Sequence, residues 1–116
     1  MAKVIHILLV AAGLGAAAPG LAAPADANGA REILRGDLAA AERIITRERR
    51  MFPADPDLIL NLAMIYRQTG RTEQARGLYR QIIDAPDEML DTDNAPMSAH
   101  AIAKLELAQM GMLAAK

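Results

Sequence analysis

Cysteine is absent from the chain, and with it go disulfides, thiolate metal sites and cysteine nucleophiles. Tryptophan is absent too, and aromatic residues make up only 3%. The large apolar fraction is mostly alanine, which suits helices better than strands. Histidine occurs only as His6 and His100, and serine only as Ser98. His6 falls in an N-terminal stretch that reads as a leader, which leaves His100 alone. One histidine without cysteine cannot assemble a usual nitrogen–sulfur metal site. Ser98 and His100 stand two residues apart, on different faces of a helix, so a Ser–His catalytic pair is not expected. A glycine-rich phosphate loop is also missing. The net charge is −1, which argues against a nucleic-acid binder. The composition therefore predicts a single small domain with no enzymatic activity, no cofactor and no metal.

Part of the apolar count belongs to the first residues. Met1–Lys3 is short and basic, Val4–Ala12 is an apolar run, and Gly13–Ala25 is small and dotted with proline. This is the pattern of a secretory signal peptide over residues 1–22, with cleavage after Ala22 or Ala25. The alternative is an uncleaved membrane anchor, for which Val4–Ala18 is short. No cysteine follows the run, so a bacterial lipoprotein anchor is excluded. The leader has a bacterial style and places the mature chain in the periplasm or outside the cell, with no stable membrane span.

The most ordered stretch runs from Ile59 to Pro86. Ile59, Leu62, Met64, Ile65 and Tyr66 recur at steps of three and four, so most of them share one helix face. Ala63 on that face admits a close neighbour. Gly70 suits the left-handed turn that ends a helix. Thr72 is a candidate N-cap for a second helix with Glu73 near its positive end. Ala75, Leu78, Tyr79, Ile82 and Ile83 form the second stripe, and Pro86 stops it. Ile59, Leu62, Ala63 and Tyr66, then Ala75 and Tyr79, then Pro86, resemble the tetratricopeptide repeat. One period of about 34 residues earlier, Gly36, Ala41, Ile44 and Ile45 stand where Gly70, Ala75, Leu78 and Tyr79 stand. Pro53 closes that earlier copy, one residue off the period. Its first helix fits less well, with Asn28 and Glu32 in the places of Leu62 and Tyr66.

The resemblance implies an all-α fold of antiparallel helix hairpins, a fragment of an α-solenoid. Two repeats, about 25–55 and 56–88, fall within residues 23–97, and residues 98–116 form a C-terminal capping helix. In order, the pattern predicts a short helix over Ala27–Arg35, anchored by Ile33 and Leu34, and a helix over Leu38–Met51 that buries Met51. Asp37 and Asp55 are N-cap candidates, with Pro56 at the first helical position. Asp84–Ala95 holds five acids and no base, against ten arginines and seven acids over Arg31–Arg80. The acidic segment reads as a solvated loop. Asp91, Asp93 and Asn94 begin like a calcium loop but lack its glycine and late glutamate. The last helix is expected over Ala99–Met112, with Ile102, Leu105, Leu107 and Met110 on its apolar side.

In the family, first helices line a concave groove that holds peptides. By resemblance the groove face of the second repeat is Asp57, Leu60, Asn61, Met64, Arg67 and Gln68. Asn61 matches an asparagine of the carboxylate-gripping members. The basic residues those members carry on the preceding repeat are replaced here by Asp26 and Ala30, so that grip is not expected. The implied function is a periplasmic adaptor or scaffold binding a protein or peptide. The alternative is a homo-oligomer that self-assembles end to end, and the basic face of Arg43–Arg50 meeting the acidic segment of another copy, head to tail, is one route to it.

Overall fold

The computed structural model describes residues 28–92 and 95–114, with side chains as far as Gly111. The leader, the residues before Asn28 and the Asp93–Asn94 end of the calcium-like loop lie outside the described residues. Among these residues the order is α1 (Ala30–Leu34), α2 (Leu38–Arg49), α3 (Pro56–Gln68), α4 (Thr72–Asp84), β1 (Met89–Leu90), β2 (Met97–Ser98) and α5 (Ala99–Ala114).

Each helix starts and stops for a local reason. The Asp37 carboxylate accepts from Ala40 N at 3.1 Å and opens α2. The Asp55 carboxylate accepts from Asp57 N at 2.9 Å, and Pro56 takes the first position of α3, where its missing N–H costs nothing. After α3, Gly70 takes φ 84, and Arg71 N donates to Tyr66 O at 2.7 Å, closing the helix end. Thr72 is the first helical residue of α4 rather than its cap. Arg71 stands at the cap position without a side-chain bond, because a guanidinium has no acceptor to offer the first N–H groups; it reaches back to Glu42 instead.

Adjacent helices pack in sequence, α1 on α2, α2 on α3, α3 on α4 and α4 on α5. The alanines predicted at the junctions, Ala41, Ala63 and Ala75, are each fully buried. Two apolar clusters meet across α3. One joins Ile59, Ala63, Tyr79 and Ile82 to Ile102, Ala103 and Met110 of α5. The other joins Leu58, Leu62 and Ile65 to Ala30, Ala41 and Ile45. Burying each large aliphatic side chain contributes about 1.5–3 kcal/mol. Arg71 fastens the two pairs at their edge. Its guanidinium bonds both Glu42 oxygens at 2.9 and 2.6 Å and lies 4.4 Å from the Tyr66 ring centroid. That bond holds the Glu42 carboxyl below the usual range.

Some sequence expectations need correction. Met51 and Leu34 are exposed, at 72% and 59%. The α2 helix ends at Arg49, so Met51 lies past its last turn, and Leu34 closes a helix of only five residues. Leu105 is 41% exposed. The acidic segment is also more than a loop. Met89 pairs with Ser98, and Leu90 with Met97, in a short antiparallel ribbon. Leu90 tucks into the first cluster.

The helix α5 repeats the register of α3. Ala99, Ile102, Ala103 and Glu106 are all buried and carry the spacing of Ile59, Leu62, Ala63 and Tyr66. The offset is 40 residues, six more than the usual period of about 34. The ribbon takes up the extra length. Asp87 and Ser98 then start α5 together. Ser98 Oγ donates to Asp87 Oδ2 at 2.5 Å and accepts from Ala101 N at 3.0 Å, while Asp87 Oδ1 accepts from His100 N at 3.0 Å. These bonds hold the Asp87 carboxyl below its ordinary range. His100 Nε2 lies 2.6 Å from Ala85 O, so Ser98 and His100 serve the start of a helix and do not face one another.

Candidate partner-binding face

One side of α3 carries all six residues that the resemblance assigns to a groove. Asp57, Asn61, Met64 and Gln68 follow one another at steps of four, three and four, a single stripe along the helix. Leu60 and Arg67 form its second edge, toward α5.

The structure places these residues at different depths. Gln68 is exposed, and Asp57 and Arg67 are half-buried. Leu60, Asn61 and Met64 are closed to solvent, at 1%, 0% and 1%, where an open groove floor would show them. Leu60 belongs to the cluster with Leu90 and Ile102, and Met64 to the cluster with Ala30. With eight successive residues from Leu58 to Ile65 buried, the middle of α3 is central, and the helix reaches solvent towards its ends.

The polar groups of this face are unevenly satisfied. Asn61 Nδ2 donates to Asn28 O at 3.0 Å, but Asn61 Oδ1 has no partner among the described residues. Asp57 Oδ1, one turn earlier, is likewise buried and unpaired. Burial, with Asp55, Glu88 and Asp91 nearby, pushes the Asp57 carboxyl up to about 6. A buried acceptor without a donor costs about 1–3 kcal/mol. The Asp57 end of the stripe is therefore acidic and short of donors.

Arg67 has a different assignment from the one the sequence suggests. It pairs with Glu106 of α5, whose side chain is 2% exposed. The arginine bridges α3 to α5 and also faces Tyr79, whose hydroxyl burial pushes up to about 12 against the pull of the Arg67 charge. Among the described residues Glu106 Oε2 has no partner. Sequence reasoning missed Glu106. The available signal was its place as the fourth member of the Ala99–Ile102–Ala103 pattern, where α3 has Tyr66.

Among the described residues no three histidine or acidic side chains gather into a metal site. No helix among them is long and apolar enough to cross a membrane.

Comparison with known proteins agrees with the geometry. No curated protein and no solved structure matches the chain. The model of the tetratricopeptide repeat matches residues 26–105, which span α1 to the middle of α5. With paired helices, buried alanines at the junctions and a matched stretch covering most of its length, the chain belongs to the tetratricopeptide repeat family.

Proposed function

We propose that this protein is a periplasmic adaptor that holds a segment of a protein partner along the Asp57–Gln68 face of α3. Tetratricopeptide repeats generally mediate protein–protein interaction and are typically non-enzymatic. The observation that carries the reading is that among the described residues Asp57 Oδ1 and, one turn on, Asn61 Oδ1 lack donors, while the stripe reaches solvent at Gln68 and in part at Asp57 and Arg67. A basic side chain of the partner suits the Asp57 end. Leu60 and Met64 are closed to solvent and pack beneath the stripe without lining it. Arg67 acts through Glu106 and fixes the edge of the face. The basic, apolar and small-residue order of residues 1–25 supports export with removal of the leader after Ala22 or Ala25.

A photoreactive residue at exposed Gln68, compared with one at exposed Arg80 on α4, tests the assignment in cells making the full chain. A discrete protein adduct from position 68 and none from position 80 is expected. Adducts from position 80 alone would remove the contact from this face. The mass of the purified periplasmic form reports the cleavage point, and an intact Met1 in that form would refute export by this leader.

A further inference from the structure

The outer side of α2 carries Arg43, Arg47 and Arg50 at steps of four and three, so the three share one side of the helix. All three are exposed. Among the described residues only Arg47 has an ionic partner, Glu48 at 3.7 Å. They border a shallow trough of about 590 Å³ together with Ala39, Glu42 and Thr46. Glu42 does not neutralise it, because both its oxygens are taken by Arg71. At the end of the helix Met51 and Phe52 extend the patch, 72% and 49% exposed.

The other end of the sequence offers the complement. Asp84, Glu88 and Asp91 are exposed, and no lysine or arginine occurs between Arg80 and Lys104. Met89 stands between the acids at 64% exposure, on the strand β1 that the extra six residues provide. Each patch thus pairs charge with exposed apolar surface, and the two have opposite sign.

We propose that a second copy of this chain is the occupant, with Glu88, Met89 and Asp91 of one copy seated on the Arg43–Arg47–Arg50 trough of the other. Opposite charges steer the approach, and Met89 covers Met51 and Phe52. The apolar end of the arginine patch and the acidic segment approach each other within each molecule, since Ala54, two residues past Phe52, and Glu88 line one crevice. In the proposed arrangement a two-fold axis makes both contacts and closes the dimer. The same adjacency disfavours an anionic membrane, because a lipid surface meeting the arginines would also meet the acids. The acids of this contact lie near the Asp57 end of the α3 face, and reversal of the arginines alone, which leaves those acids intact, separates the two readings.

Sedimentation velocity of the purified chain, over a range of concentrations and salt, tests it. A monomer–dimer equilibrium that weakens as salt rises is expected. Charge reversal at R43E/R47E/R50E, or at E88K/D91K, should raise the dimer dissociation constant about tenfold or more while leaving the helical circular dichroism unchanged. An equimolar mixture of the two reversed chains should associate again, because each then offers what the other needs. Asp87 is left intact, since it starts α5. A wild-type chain that stays monomeric at low salt, or a mixture that fails to associate, overturns the proposal. Arginine-dependent binding to anionic vesicles by a chain that never self-associates overturns it in favour of a lipid surface.

Discussion

Replacing Asp57 by asparagine should make the protein more stable at neutral pH. The side chain keeps its shape, and one carboxyl oxygen gives way to an amide nitrogen, which removes the ionisable group. In the folded chain the Asp57 carboxyl is pushed up to about 6 from an ordinary 3.8, first by burial and then by Asp55, Glu88 and Asp91. The sign follows from proton linkage. Below the ordinary value both states are protonated, and the group costs nothing. Between that value and about 6 the folded state holds more protons, so stability falls as pH rises. Above about 6 the full penalty applies, about 3 kcal/mol from the gap between the two values. Some of this is offset, because a negative charge in a first helical turn gains about 0.3–1 kcal/mol. A net gain of about 2 kcal/mol for Asp57→Asn at about pH 8 is expected, with little gain at about pH 4. Urea unfolding of both chains at the two pH values reads this as a midpoint shift of about 1–2 M. Asp87, whose carboxyl is held low, loses its stabilising effect as pH falls, but it does so equally in both chains and cancels in the difference. A variant that is less stable than wild type at the higher pH, or an equal difference at both, would refute the reasoning. A confirmed gain would mean that the chain keeps a costly carboxylate on its proposed binding face, the usual sign of a trade between stability and function.

Other outcomes follow from the same structure. Arg67→Ala leaves Glu106 buried and unpaired and should cost about 3–5 kcal/mol, whereas the double replacement R67M/E106L should recover much of that loss, by thermal or denaturant melting. Gly70→Ala should cost about 1 kcal/mol, since the glycine has φ 84 but an added Cβ meets nothing within 4 Å. Gly29→Ala should cost clearly more, because its φ is 75 and the new Cβ would come within 2.9 Å of Ile45 Cδ1. Asp55→Ala removes the bond to Asp57 N and should cost about 1 kcal/mol, with amide exchange quickened first at the start of α3.

What could be read from the chain alone was whatever depends on near neighbours. The Asp37 and Asp55 caps, the turn at Gly70 and the repeating steps of Ile59, Leu62, Ala63 and Tyr66 all lie within a few residues of their effects. The buried alanines followed from the same spacing. The partner of Arg67 lies 39 positions away on α5, and no local pattern announces it. Depth on the candidate face was equally hidden, because a stripe of helix gives direction but not what covers it. Leu60, Asn61 and Met64, read as groove residues, are closed to solvent. The β1–β2 ribbon escaped because two strands of two residues show no alternation. Met51 was misjudged because the α2 period was extended one turn past Arg49.

The register of α5 has a consequence for how such a chain can change. Ala99, Ile102, Ala103 and Glu106 find their places although six additional residues precede them, so the instructions for stacking reside in the helices and not in the distance between them. That joint is a tolerant point for growth. Closing a loop twice as long adds only about 0.6 kcal/mol, so the acidic ribbon can be lengthened, shortened or exchanged while the helices around it stay as they are. New specificity can be written at this position without redrafting the architecture that displays it.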